Sequence, residues 1–228
     1  MEISSNSKNP IIGLTEEFVF ELLKEDFSGH DFEHIQRVRR FAIFIAKKEG
    51  ADLEIVELSA LLHDISDWKF NGGDLELGSK LAYEWLLKNN YPKERAELIS
   101  QIIKNVSYKG AKVESKQQTL EGKIVQDADR LDALGAVGIG RAFAYGGTKK
   151  RKMYDPKIVP VLHVSFEEYK NNENTTINHF YEKLFLLEEK MNTKSAKELA
   201  REKTKFMKEF VERFLDEWNG AKQRETDI

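Results

Sequence analysis

Leu53-Glu54-Ile55-Val56-Glu57-Leu58-Ser59-Ala60-Leu61-Leu62-His63-Asp64-Ile65-Ser66-Asp67 is the stretch on which the reading of this chain turns. Asp52 precedes it as a helix cap, and the spacing predicts a helix over about 53 to 65. Residues Ile55 to Leu62 are largely apolar. His63-Asp64 then follows without a break. Burying an imidazole and a carboxylate is costly unless they are paired or bound to a metal. The dipeptide is therefore a site candidate, not packing.

Working outward, the helical signals continue on both sides. From Asp31 to Glu49, Ile35, Val38, Phe41, Ala42, Ile45 and Ala46 recur at three and four, and Gly50 ends the run. Residues 1 to 14 read as an N-terminal arm, with a helix starting at Thr15-Glu16-Glu17. Further helices are predicted at about 75 to 89, at 92 to 106 with Pro92 in the first turn, at 120 to 134, at 177 to 191 and at 195 to 218. In the last of these Phe206, Phe210, Phe214 and Trp218 fall four apart and are expected in the core. Residues 70 to 74 read as a turn, 107 to 119 as a loop, and 146 to 160 as a mobile loop or lid. Between them Gly135 to Ala142 is rich in small residues, which permit close backbone approach. No strand pattern exceeds four residues, so the expected fold class is all-α. A single domain over 15 to 219 is expected, with a motif core over about 28 to 145, C-terminal helices over about 177 to 218 and a tail at 220 to 228.

Composition narrows the chemistry. The 228 residues are enough for a real hydrophobic core. The absence of cysteine excludes disulfides and thiolate metal sites. A net charge of −3 gives no global field for nucleic acid or an anionic membrane. No apolar run approaches the roughly 20 residues of a membrane helix, and the first residues lack the pattern of a signal peptide. The expectation is a soluble cytoplasmic protein with no nucleic-acid or membrane partner. The sequence leaves its oligomeric state open, a homo-oligomer included.

His63 stands 29 residues after His34, and Asp64 stands 65 residues before Asp129. Two imidazoles and two carboxylates form a mixed nitrogen and oxygen ligand set for a divalent metal. Adjacent helix residues are about 100° apart around the axis, so His63 and Asp64 can both reach a metal at the helix edge. Asp67 follows His63 by one turn. Asp129 and Asp132 share one face of a third helix, from which Asp127 points away. Three helices thus aim these groups at one point in a bundle, a recurrent place for metal sites. The competing reading is a set of ordinary helix residues engaged in ion pairs.

The ordered spacing resembles the HD superfamily of metal-dependent phosphohydrolases. Gly29-His30-Asp31-Phe32-Glu33-His34-Ile35-Gln36-Arg37-Val38 looks like the first motif of that family, and Val125-Gln126-Asp127-Ala128-Asp129-Arg130-Leu131-Asp132-Ala133-Leu134-Gly135-Ala136 looks like its last. Thr175-Thr176-Ile177-Asn178-His179-Phe180-Tyr181-Glu182-Lys183-Leu184 is similar to one bacterial subgroup. The resemblance implies an HD-type helical bundle over residues 15 to 219 with the metal site in its core. It makes His34, His63, Asp64 and Asp129 the metal ligands, Asp129 being the acid immediately before Arg130. His30 is either a contact near the metal or substrate, or a helix-start residue. Relatives with two metals take extra histidines between the His-Asp pair and the final Asp; here none occurs from 64 to 162. One divalent ion (Mn²⁺, Mg²⁺, Co²⁺ or Ni²⁺) is therefore expected, outside the diiron oxygenase branch.

The implied activity is release of phosphate or pyrophosphate from a nucleotide or another small phosphate ester. Asp67 is the candidate base or acid, and Asp132 the candidate that orients a ligand imidazole or a lysine. Arg37, Lys69 and Lys109 are the favoured phosphate clamps, with Arg130 and Arg141 as options. The rival readings are a cyclic-nucleotide or alarmone phosphodiesterase and a non-catalytic nucleotide-binding module that signals to a partner.

Overall fold

The computed structural model describes residues 9–25, 31–66, 76–106, 116–162 and 174–220. Among the described residues there are nine α-helices, one 3₁₀ turn and no strand, so the all-α expectation holds. The helices are α1 (Pro10–Leu23), α2 (Phe32–Glu49), α3 (Leu53–Leu62), α4 (Leu77–Lys88), α5 (Lys93–Lys104), α6 (Leu120–Asp132), α7 (Gly135–Thr148), α8 (Thr176–Glu182) and α9 (Lys194–Trp218), with the 3₁₀ turn at Leu184–Leu186. Asn9, Asp31, Asp52, Thr119, Thr175 and Thr193 each accept a first-turn N–H through the side chain. Such caps contribute about 1 kcal/mol each and set where the helices begin.

α3 is the centre of the bundle. Ile55, Val56, Leu58, Ser59, Ala60, Leu61 and Leu62 are all buried, as expected for a helix covered on every side. α2 packs across it and against α6, while α1, α5 and α6 close its other sides. Leu61 and Leu62 are fully buried, and each such side chain contributes about 1.5–3 kcal/mol through apolar burial. This packing carries the first turn of α2, the end of α3 and the last turns of α6 to one place.

Several elements depart from the sequence reading, each for a local reason. α1 begins at Pro10, not Thr15, because Asn9 caps it and also bonds the carboxylate of Glu54. Proline suits a first helical position, where its missing N–H has no partner to lose. Pro92 is itself the residue before α5. α3 stops at Leu62, where the His63 ring takes the carbonyl of Ala60 at 2.8 Å. α7 runs through Gly146-Gly147 to Thr148. At Gly146 a Cβ would sit 2.3 Å from Thr176 Oγ1, so glycine lets α7 and α8 touch.

The segment read as a mobile lid is fastened to α8 instead. The amides of Thr176 and Ile177 donate to the carbonyls of Lys152 and Met153 at 3.0 and 2.9 Å, and Asn178 Nδ2 donates to Ile158 O at 2.9 Å. The helix expected over 177 to 191 ends at Glu182, after which the 3₁₀ turn carries Leu184 inward.

The aromatic stripe of α9 is core only in its middle. Its buried face is Ala196, Ala200, Thr204, Met207 and Val211. Residues four apart drift about 40° around the axis per step. Phe210 and Phe214 pack on Phe143, but Phe206 and Trp218 roll outward to 48% and 46% exposure.

Candidate metal centre

His34 is the third residue of α2, placed there by Asp31, whose carboxylate accepts its N–H at 2.8 Å. The His34 side chain is fully buried. His63 and Asp64 lie in the turn that ends α3, and Asp129 lies one turn before the end of α6. His34, His63 and Asp129 come together from three helices, and Asp64 stands beside His34. His34 Nε2 is 3.7 Å from Asp64 Oδ2 and 3.7 Å from Asp129 Oδ1, and His63 Nε2 is 3.8 Å from Asp129 Oδ1. One ligand atom from each of His34, His63 and Asp129 falls within 4.8 Å of the others.

These separations are too long for hydrogen bonds. They match donors that share one ion, since bonds of about 2.1 Å to a common centre place donor atoms about 3–4 Å apart. The ring nitrogens point the same way. His63 Nδ1 faces the Ala60 carbonyl at 2.8 Å, and His34 Nδ1 faces Asp132 Oδ2 at 2.8 Å. Carbonyl and ionised carboxylate oxygens only accept, so each Nδ1 carries the hydrogen and each Nε2 presents a lone pair. His63 Nε2 is buried with no hydrogen-bond partner among the described residues. A bare buried acceptor costs about 1–3 kcal/mol, which a ligated ion removes. The donor set fits a divalent metal.

Electrostatics agree. Burial lowers the pKa of His34 to about 4, with its bond to Asp132 opposing and Arg141 and His63 assisting. The imidazole is thus neutral and available near pH 7. Asp132 behaves oppositely. Burial disfavours its charge, yet the hydrogen bonds from His34 and Arg37 outweigh burial and hold its carboxyl well below the usual carboxylate range. Arg37 grips it through Nε on Oδ1 at 2.7 Å and Nη2 on Oδ2 at 3.2 Å, and Arg141 donates Nη1 to Oδ2 at 2.7 Å. The carboxylate–histidine pairing read from the sequence for Asp132 is therefore present, and Arg37 is beside it.

Other expected residues fall elsewhere. Arg130, an option for phosphate clamping, is buried and gives Nη1 to the carbonyl of Lys190, a brace between α6 and the segment before α9. Asp67, Lys69 and Lys109, with His30, lie outside the described residues. Asp127 points away from the centre as its helix phase requires, and its carboxylate receives Asn192 and Thr193. Lys203 of α9 went unread in the sequence. Its Nζ donates to Leu134 O at 3.3 Å and lies 4.9 Å from the Phe41 ring centre, and burial lowers its pKa while Asp132 opposes. No local pattern marks it among the many lysines of α9, because only packing brings it near.

Comparison with known proteins places this geometry. Residues 31–134 match the family described as HD domain. That span holds all four donors, together with Arg37 and Asp132, but not Arg141 or Lys203. A solved Lactobacillus plantarum protein is 39% identical with a TM-score of 0.82, covering 92% of this chain and 97% of its own. An HD-superfamily hydrolase from Bacillus thuringiensis is 41% identical with a TM-score of 0.71, covering 92% and 98%. Bacillus subtilis YpgQ, crystallised in complex with ADP, is 32% identical with a TM-score of 0.70, covering 92% and 98%. No described helix is long and apolar enough to cross a membrane.

Proposed function

Because the chain belongs to the HD superfamily, we propose that it is a metal-dependent phosphohydrolase releasing phosphate or pyrophosphate from a nucleotide or a small phosphate ester. The observation that carries this reading is the convergence of two Nε2 lone pairs with the Asp129 carboxylate within 4.8 Å. Asp64 Oδ2 stands 3.7 Å from His34 Nε2. His34, His63, Asp64 and Asp129 would hold one divalent ion, Mn²⁺, Mg²⁺, Co²⁺ or Ni²⁺. When bound, such an ion polarises a phosphoryl oxygen and lowers the pKa of a water.

The chain's own residues supply the rest. Asp132 and the Ala60 carbonyl fix the two imidazoles, so their lone pairs need no reorganisation on binding. Arg37 places positive charge beside the centre, where a phosphoryl group needs it. Asp67 is the candidate base or acid, and Lys69 and Lys109 are the candidate companions of Arg37 on the phosphate. A nucleotide is the favoured substrate class, supported by the ADP complex of YpgQ.

That complex equally favours a second reading, a nucleotide-binding module without turnover. The test is phosphate and pyrophosphate release from a panel of nucleotides with Mn²⁺, beside Asp64→Ala. The variant is expected to lose more than about a hundredfold in rate. Equal rates would overturn the site. Nucleotide binding without release under every metal would select the binding module.

A further inference from the structure

Asp132 Oδ2 accepts from three donors at once: His34 Nδ1 at 2.8 Å, Arg141 Nη1 at 2.7 Å and Arg37 Nη2 at 3.2 Å. A carboxylate offers about four lone-pair sites over its two oxygens, so three donors on one oxygen compete. Arg37 has an independent hold on Oδ1 at 2.7 Å. Arg141 meets Asp132 at Oδ2, the oxygen that also faces His34. The Asp132 side chain is 1% exposed while that of Arg141 is 19% exposed. The carboxylate is sealed in, while the Arg141 side chain is partly exposed.

We propose that Arg141 receives a phosphate oxyanion of the substrate, and that Asp132 is a positioning residue coupling this event to the metal affinity of His34. The inference rests on the metal and phosphate of the preceding reading. A guanidinium has five donors in a planar fork that suits two phosphate oxygens. When an oxyanion draws Arg141 off Oδ2, that oxygen turns more fully to the Nδ1–H of His34. The imidazole gains electron density and Nε2 becomes a better ligand. In the other direction, with Nε2 engaged, Nδ1–H becomes a stronger donor, holds Oδ2 more tightly and loosens Arg141. Each event favours the other, by the same factor in both directions.

Arg141 lies beyond the matched span of residues 31–134. It reaches Asp132 because α7 turns back directly after α6, where Gly138 allows the approach: a Cβ there would fall 2.2 Å from Ala133 O. The coupling is thus built from a helix that the four donors do not need.

The test measures Mn²⁺ affinity by calorimetry, with and without inorganic phosphate, for the native protein and for Arg141→Gln. Phosphate is expected to tighten Mn²⁺ about fivefold or more in the native protein, the low end of typical coupling between sites. In Arg141→Gln that effect should shrink to less than about twofold, while Mn²⁺ alone binds at least as tightly as in the native protein, because a competitor for Oδ2 is gone. A brace without a coupling role predicts weaker Mn²⁺ binding in the variant. That result in a variant whose melt by circular dichroism is native overturns the proposal, as does an undiminished phosphate effect. If Arg141→Gln does not fold, Arg141→Lys takes its place. It keeps the charge without the planar fork and should lose at least about half of the phosphate effect; full retention overturns the proposal. Coupling without nucleotide turnover would keep this inference and sink the hydrolase reading, whereas no Mn²⁺ binding by the native protein sinks both.

Discussion

Asp127 and Asp132 lie five residues apart on α6, are 0% and 1% exposed, and have opposite fates. Asp127 accepts the amide and Nδ2 of Asn192, each at 2.8 Å, and the amide and Oγ1 of Thr193 at 2.8 and 2.9 Å. All four donors are neutral, and burial still raises its pKa. Asp132 accepts from His34 and two guanidiniums, and its pKa falls. Burial of a carboxylate therefore does not by itself mark a functional residue. The partners separate the two: neutral donors make Asp127 a clasp for the start of α9, whereas His34 and two guanidiniums surround Asp132.

The first way to test this contrast is acid unfolding of the metal-free protein. His34 has a pKa of about 4 in the fold and 6.5 when exposed. Between those values the unfolded chain takes up a proton that the fold does not. The stability this neutral histidine provides is complete above pH 6.5 and is lost as the pH falls through the window to about 4, roughly 3 kcal/mol in all. Urea titrations should show this slope in the native protein and a flatter one in His34→Gln. Equal slopes would mean the imidazole is not held neutral. The two acids act in opposite senses: Asp127, with a raised pKa, adds stability as the pH falls toward 3.8, whereas Asp132, with a depressed pKa, withdraws stability as it is protonated below 3.8.

Asp127→Asn should destabilise by about 2–3 kcal/mol, because the new amide N–H groups face donors. Its melting temperature should drop by about 5–10 °C for a chain of this size, with Mn²⁺ affinity unchanged. Asp132→Asn should weaken Mn²⁺ affinity about 10–100-fold, the usual effect of removing a carboxylate behind a ligand histidine, and should lower the melting temperature at least as much as Asp127→Asn, because Arg37 and Arg141 lose their buried carboxylate. Calorimetry and thermal melts on both variants decide the matter, and identical behaviour would erase the distinction. The smallest expected effect is Thr193→Ala, which removes an α9 cap and one donor to Asp127. It should cost about 1 kcal/mol in urea unfolding and leave phosphate release untouched.

Much of this was legible in the sequence where short-range physics sets the answer. Helix phase alone put Asp129 and Asp132 on one face and turned Asp127 away. Asp52 announced the start of α3, and the spacing of His34, His63-Asp64 and Asp129 pointed to the cluster that could hold a metal. Legibility failed where two segments distant in sequence had to meet. The pattern Phe206, Phe210, Phe214, Trp218 looked like core, but its drift around the helix exposes both ends. Gly146-Gly147 looked like a loop, but close approach to Thr176 makes Gly146 a helix residue. Arg141 was one of several cations that could have faced a phosphate, and nothing local distinguished it from Arg130.

The sequence by itself determined that this chain is helical and where most of its helices start, and it pointed to His34, His63 and Asp129, which the fold brings together, because caps, period and donor type act over a few residues. Only the tertiary structure decided which buried acid meets His34 and which clasps a helix, and that Arg141 and Lys203 come up beside Asp132. Those outcomes depend on what each side chain meets across the bundle, and a helix's own period sets its direction without choosing its neighbour.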